Sequence, residues 1–168
     1  MKAGLLGAIS IAILMMATTA SAAIRLPVGT VGPERCSKGL VMGEKAVGRN
    51  MMACLLKQAA IFDLDAPDAA QHFATAYIYP VHPDLLARWQ TNPVEALGKA
   101  GGFVPMRIEN GIVDAVPTNT GTDVFAIYTL SGTLVSSNGK EERQRPVTIV
   151  IGMYKGYFTL DDFSWTLP

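Results

Sequence analysis

The sequence predicts an α+β protein: short helices packed on a curved antiparallel sheet of four to five strands, preceded by a disulfide-stapled β-hairpin. Two observations predict the sheet. Apolar, β-branched and aromatic residues fill most of residues 124–167, and Asn138-Gly139 lies between two such runs, as is typical of a hairpin turn. A third observation, the helical spacing of apolar residues before Gly102, places the helices first, and that order is typical of the α+β class.

The composition is that of a globular chain without bulk charge. The 168 residues carry 14 basic and 14 acidic side chains, and hydrophobic residues make up 49% of the chain. This length allows one ordinary domain together with a leader and a small extension. Because the charges cancel and no Lys/Arg-rich stripe occurs in the sequence, we expect no nucleic-acid partner.

The N-terminus has the pattern of a secretory signal peptide over residues 1–22. Lys2 supplies a positive charge, residues 5–16 form an apolar run, and Ala-Ser-Ala at 20–22 gives small residues before a cleavage point. We therefore expect cleavage after Ala22 and a periplasmic or secreted protein. An uncleaved membrane anchor is the alternative, although the apolar run is short for a span.

The extension over residues 23–62 contains the two cysteines of the chain, Cys36 and Cys54. Export would place them in an oxidising compartment, where an intramolecular disulfide is the default. Turn-forming residues at 43–50 separate two short apolar segments, and this arrangement favours a stapled β-hairpin. A helix over residues 37–61 is the alternative, which three glycines disfavour because each costs about 1 kcal/mol inside a helix.

The remaining domain, residues 63–168, is predicted to begin with three helices. Capping acids and a proline start the first helix, over residues 63–79. A proline next to a capping residue starts the second helix, over 82–89, and the third, which runs from 92 to the glycine pair at 101–102.

The strands that follow are predicted from alternation and turns. Asn110-Gly111 is expected to form the turn of a short hairpin between Val104 and Val116. A slip in the alternation at Asp161-Asp162 predicts a β-bulge in the last strand, and bulges curve a sheet.

Two parts of the chain resemble known families. Cys36, Gly39-Leu40-Val41, Gly48 and Met52-Ala53-Cys54 resemble the cysteine-stapled hairpin of shufflon-type minor pilins, and this likeness covers residues 33–62.

The second resemblance covers residues 63–168. The helical block ending near Gly102, the segment Ile112–Pro117 and the hairpin at Asn138-Gly139 are similar to the cone of the nuclear-transport-factor-like superfamily. Within it, they resemble the periplasmic domain of type IV secretion and conjugation subunits of the IcmL/DotI type. The resemblance implies a cone-shaped domain that works by contacts with other envelope proteins.

Few side chains suggest chemistry. The spacing of the two histidines and of the acids matches no metal motif, so capping, surface and core roles are expected for them. We predict no catalytic residue, cofactor or metal, and the predicted site residues are Cys36 and Cys54 of the disulfide. The side chains considered are His72, His82, Asp63, Asp65, Asp68, Asp114, Tyr128, Tyr154, Asp161, Asp162, Trp89 and Trp165.

We therefore expect a non-enzymatic exported component of a bacterial secretion, conjugation or type IV pilus assembly, acting through protein partners in the cell envelope. A small-molecule-binding protein or enzyme with a pocket between helices and sheet is the alternative; a secreted inhibitor is a third possibility. An apolar plug of Phe73, Tyr77, Leu86 and Trp89 would favour the assembly role, and an open polar cavity the alternative.

Overall fold

A computed structural model of the protein describes residues 23–39, 41–69, 72, 80–92, 95–117, 124–154 and 157–165. Its elements are β1 (Ile24–Val31), a 3₁₀ turn (Pro33–Arg35), α1 (Glu44–Ile61), α2 (Pro83–Thr91), β2 (Val104–Pro117), β3 (Val124–Ser137), β4 (Glu142–Tyr154) and β5 (Tyr157–Trp165). The five strands form one sheet in the order β1-β2-β3-β4-β5, and each neighbouring pair is antiparallel. The predicted α+β class is thereby confirmed.

The helix α1 occupies the segment predicted as a hairpin, so that prediction was wrong. Residues 44–61 are helical throughout, and Cys54 lies inside the helix. The glycine argument failed because Gly43 is the N-cap, with φ 85°, and Gly39 lies before it. Only Gly48 carries the cost of a glycine inside the helix, and the other residues of the segment form helix readily.

Gly48 remains in the helix because α1 passes very close to β2 there. A Cβ atom added at Gly48 would lie 2.3 Å from Cγ2 of Val113. On the strand side, a Cβ added at Gly111 would lie 2.8 Å from the carbonyl oxygen of Gly29 and 3.3 Å from Sδ of Met52. Gly48 therefore lets the helix approach the sheet, and Gly111 leaves room for β1 and for Met52 of the helix.

One face of the sheet forms the core with the helices. Full burial of a large apolar side chain contributes about 1.5–3 kcal/mol, so this face holds the two layers together. The buried residues of this core include Ile108, Val113, Leu130, Leu134, Val147, Ile149, Ile151 and Leu160 from the strands and Met51, Met52, Leu55, Leu56, Leu85 and Trp89 from the helices.

The segment 104–117 is one continuous strand, so the predicted hairpin at Asn110-Gly111 was wrong. Glu109 pairs with Thr133 and Ile112 pairs with Ser131, which leaves two residues of β2 opposite one residue of β3. Asn110 has φ 52°. Asn110 supplies the left-handed backbone of a β-bulge, and the pair does not form a turn.

Two predictions for the later strands, the loop at Asn138 and the bulge at Asp161, are confirmed. Asn138 lies in the loop between β3 and β4, and its Oδ1 accepts hydrogen bonds from the N–H groups of Lys140 and Glu141 at 2.9 and 3.0 Å. In β5, Asp162 pairs with Val150 and Leu160 pairs with Ile151, so Asp161 is the extra residue of the predicted bulge.

The helical predictions had mixed outcomes. The second helix is confirmed as α2, and His82 caps it by accepting the N–H of Asp84 at Nδ1, at 3.3 Å. The third was wrong, because residues 96–98 are bends and Lys99 and Ala100 form isolated bridges with Asp63 and Phe103. Most of the first, 70–71 and 73–79, lies outside the described residues. None of the helices described is long and apolar enough to cross a membrane.

The close approach of α1 and β2 makes Gly48→Ala a sharp test of the packing. An alanine inside a helix normally gains about 1 kcal/mol over glycine. Here the added methyl group would press on Val113, and overpacking costs about 1–3 kcal/mol. We expect a lower free energy of unfolding in urea. The double variant Gly48→Ala/Val113→Ala should lose less stability than the two single variants lose together. A gain in stability for Gly48→Ala alone would contradict the contact.

Candidate functional site

A disulfide joins Cys36 to Cys54 and ties the end of the 3₁₀ turn that follows β1 to the middle of α1. The predicted pairing is confirmed, although its setting is a helix. The Cys54 residue is 1% exposed. Beside the disulfide, Asn50 Oδ1 accepts the N–H of Ser37 at 2.7 Å, and Asn50 Nδ2 donates to the Ser37 carbonyl at 3.2 Å. We call this junction, residues 36–37 with 50–54, the stapled corner.

A shallow groove lies next to the stapled corner, between β1 and the start of α1. Leu26 on its strand side is half-buried, whereas Met42 at its mouth is 80% exposed. Arg49 fixes the two sides, because its Nη2 donates to the Val28 carbonyl at 3.2 Å. We call this the β1–α1 groove. It is lined by Leu26, Met42, Gly43, Glu44, Lys45, Ala46 and Arg49.

The two edges of the sheet differ. At the β5 edge, the Leu160 N–H donates to the Pro80 carbonyl at 2.8 Å, and the His82 N–H donates to the Leu160 carbonyl at 2.9 Å. The strand β1, in contrast, has a strand neighbour on one side only within the described part of the chain. Its register with β2 is regular from Ile24 to Pro27 and shifts after that residue.

The histidines considered as metal ligands have other contacts. His72 Nε2 lies 2.7 Å from Oδ2 of Asp68, and this hydrogen bond lowers the pKa of the Asp68 carboxyl. His82 caps α2. Over the residues that the structure describes, no three His, Cys, Asp or Glu side chains come together as a metal site would require.

The acids after α1 hold two segments together. Asp63 Oδ1 accepts the N–H of Asp65 at 3.1 Å, and Asp65 Oδ2 accepts the N–H of Gly101 at 2.7 Å. Lys99 Nζ lies 3.7 Å from Asp63 Oδ2. These contacts fix the chain after α1 against the segment that enters β2.

Tyr128 and Asp114, two of the side chains considered for chemistry, lie on opposite faces of the sheet. Tyr128 is 8% exposed, packs edge-on against Phe158 at 6.2 Å between ring centroids, and has its pKa raised by burial. Asp114 lies on the other face, 3.9 Å from Nη1 of Arg25. The side chains of Tyr154, Asp161, Asp162 and Trp165 lie outside the described part of the structure.

Two members of the proposed apolar plug are described by the structure. Trp89 is fully buried and Leu86 packs against the core, as the plug hypothesis requires of them. Phe73 and Tyr77, the other two members of the proposed plug, are outside the described residues.

Sequence reasoning missed an ion cluster on the outer face of the sheet. Arg107 donates from Nε to Glu109 at 2.7 Å and from Nη1 and Nη2 to the two oxygens of Glu142 at 2.8 and 2.9 Å. These hydrogen bonds raise the pKa of Arg107 and lower that of Glu142. The three residues come from two strands that do not neighbour each other, so only the sheet order brings them together.

A small pocket on the opposite face was also missed. The guanidinium carbon of Arg143 lies 3.6 Å from the centroid of the Phe103 ring, which is 6% exposed. The pocket volume is about 30 Å³, which is room for a group of a few atoms. We call it the arginine pocket, lined by Gly98, Ala100, Phe103, Ser136, Arg143 and Arg145.

Comparison of the chain with protein-family models, with curated proteins and with solved structures found no match. The surfaces described above therefore carry the functional argument by themselves.

Loss of the disulfide should destabilise the protein. In the chain-entropy model, a crosslink between residues 18 apart contributes about 3 kcal/mol. We expect Cys36→Ser to unfold at lower temperature and to expose one thiol on unfolding. A reductant should lower the melting temperature of the wild type and leave that of the variant unchanged. Two free thiols in the untreated wild type would contradict the assignment.

The Arg107–Glu142 contact should make stability depend on pH in the acid range. Since the folded-state pKa of Glu142 lies below its ordinary value of 4.5, its stabilisation is present above that pH and is lost as the pH falls through the lowered pKa. Glu142→Gln should therefore destabilise the protein at pH 7 and have less effect in acid. The prediction is checked by urea unfolding of the wild type, Glu142→Gln and Arg107→Gln across this pH range. A stability difference between wild type and variants that does not change with pH would contradict the contact.

Proposed function

We propose that the protein is a non-enzymatic, exported component of a bacterial secretion, conjugation or type IV pilus assembly that acts through protein contacts. The observation that carries the proposal is the edge of β1, which has no second strand neighbour among the described residues and borders the β1–α1 groove. An edge strand presents unpaired backbone N–H and C=O groups, and a partner can pair with them by adding a strand.

The regular part of β1, from Ile24 to Pro27, is the portion suited to strand addition. Pro27, its last residue, lacks an N–H group, and beyond it Gly29 lies between two shifts of register, which disfavours further pairing. A docked strand would thus be short. Its alternate side chains would reach the groove, where Leu26 and the exposed Met42 offer apolar contact.

The disulfide supports the exported location, because structural disulfides persist in oxidising compartments. It also supports the docking role in physical terms. An edge strand can fray, and the Cys36–Cys54 bond anchors the chain just after β1 and its 3₁₀ turn to the centre of a helix. The partner then meets an ordered strand, which lowers the entropy cost of binding.

The predicted likeness to the cone of nuclear-transport-factor-like domains, and to IcmL/DotI-type subunits, has supporting features. Helices cover one face of an antiparallel sheet, and bulges at Asn110 and Asp161 are devices that curve such a sheet. We place the protein among envelope subunits on this likeness together with the edge strand.

Site-specific photocrosslinking in the native cell tests the proposal. A photoreactive residue at Met42 should form an adduct with another envelope protein, because this side chain borders the proposed docking edge. The control position is Lys140, in the exposed loop between β3 and β4, which should give no such adduct.

Two results would overturn the assembly role. One is equal labelling from Met42 and Lys140, which would indicate chance collisions. The other is recovery of the protein from the periplasm only as a free monomer that carries a bound metabolite, which would favour the small-molecule alternative.

A further inference from the structure

The charged side chains are divided unevenly along the chain. Residues 23–62, which include β1, the 3₁₀ turn and α1, contain six basic and two acidic side chains. Residues 63–168 contain seven basic and twelve acidic ones. Interfaces bring opposite charges together, so the part of the molecule that carries the docking edge favours an acidic partner.

Two of these bases line the β1–α1 groove. Lys45 and Arg49 lie four residues apart on α1 and therefore on the same side of the helix. Neither forms an ion pair with a described residue. Arg25 differs from them, because it lies 3.9 Å from Asp114 on the other face of the sheet.

Arg49 is the base whose charge is least compensated. It is half-buried, and its Nη2 donates to a neutral group, the Val28 carbonyl. Its Nε is buried and has no hydrogen-bond partner among the described residues. A cation that loses water without gaining a negative neighbour is costly, and a carboxylate that reached the guanidinium from the groove would offset part of this cost.

The acid of the groove leaves both bases positive. Glu44 lies in the first turn of α1, where the positive end of the helix dipole stabilises a carboxylate. It forms no ion pair with Lys45 or Arg49. The groove therefore combines an apolar part, formed by Leu26 and Met42, with a basic part.

We propose that the β1–α1 groove takes an extended segment of a partner protein with an acidic and an apolar side chain two residues apart. Alternate side chains of an added strand point to one face, so the four regular residues Ile24–Pro27 bring two side chains to the groove. The apolar one contacts Leu26 and Met42, and the acidic one pairs with Arg49. The inference rests on the proposed docking role of β1 and adds the chemistry of the partner.

A second copy of this chain does not meet that requirement through its own β1. The strand Ile24–Val31 contains no acidic residue, and its one charged residue is Arg25. Pairing of two such strands would bring bases together, which is unfavourable. The partner strand therefore belongs to a different segment of protein.

Titration with capped pentapeptides tests the proposal. One probe is N-acetyl-Thr-Glu-Thr-Val-Thr-amide, and the matched probe has Gln in place of Glu. NMR follows the backbone amides of Ile24 and Leu26 and the side-chain N–H groups of Arg49. We expect saturable shifts at these groups, and about tenfold weaker binding of the Gln peptide, the effect of losing one hydrogen bond to a charged group.

Three variants locate the charge that the peptide meets. Arg49→Gln should abolish the preference for the Glu peptide. Lys45→Gln should reduce it about twofold, as expected for an exposed charge. Lys57→Gln removes the same charge from the same helix outside the groove and should leave the preference unchanged. Since Arg49→Gln also loses the bond to Val28, the two lysine variants decide the question if that protein does not fold.

Several results would overturn the acidic partner. They are equal binding of the two peptides, an equal loss of preference in Lys45→Gln and Lys57→Gln, and self-association through β1 in place of peptide binding. Displacement of the Glu peptide by vesicles of phosphatidylglycerol would assign the bases to a membrane surface and overturn it as well.

The peptide experiment and the crosslinking experiment fail separately. A Met42 adduct in cells together with equal binding of the two peptides would reject this inference and leave the assembly role. A preference for the Glu peptide in a protein that gives no Met42 adduct would reject the assembly role and leave the chemistry of the groove.

Discussion

The contact between Gly48 and Val113 determines how the rest of the molecule is arranged. A side chain at position 48 would lift α1 away from the sheet, because its Cβ would overlap Val113. With glycine there, the helix lies close to β2, and the following turns bring Met51, Met52 and Leu55 into the core. The same placement brings Cys54 within bonding distance of Cys36. The disulfide is thus a consequence of helix packing as well as a support for it.

This arrangement makes the two edges of the sheet unequal. The β5 edge is bonded to residues 80–82, whereas β1 pairs with β2 along its length and is followed, after the 3₁₀ turn, by the disulfide. An ordered edge that is open over a few residues is suited to a short, specific strand pairing, whereas a long flat edge would favour aggregation. The shifts of register around Gly29 limit the length that a partner can pair.

The parts of the fold that were predicted correctly depend on local signals. The capped start of α2, the loop at Asn138 and the slip at Asp161 each follow from neighbouring residues. The errors arose where one signal serves two structures. An Asn-Gly pair is compatible with a turn and with a bulge, and at 110–111 Asn110 takes the positive φ of a bulge. Gly48 is a poor helix residue, and its position was decided by contact with Val113, more than 60 residues away.

The edge strand β1 was missed for a related reason. An edge strand with Pro27 and Gly29 lacks the clear alternation of an inner strand, so its pairing with β2 has little local signature. The candidate surfaces could be located only once the strand register was known. The groove joins β1 to the start of α1, and the arginine pocket joins two strands to the segment before β2. No spacing in the sequence brings such segments together.

The distribution of charged side chains at the end of β4 limits what can be concluded about ligands from the net charge of the chain. The chain carries equal numbers of acids and bases, which argues against binding to a polyanion by bulk attraction. Alternation along β4 nevertheless puts Glu142 beside Arg107 on one face and leaves Arg143 and Arg145 together on the other. Within a Debye length of about 8 Å, a ligand meets the local pair and not the sum over the chain. Equal totals of acids and bases therefore do not describe the charge that a ligand meets at one face of the sheet.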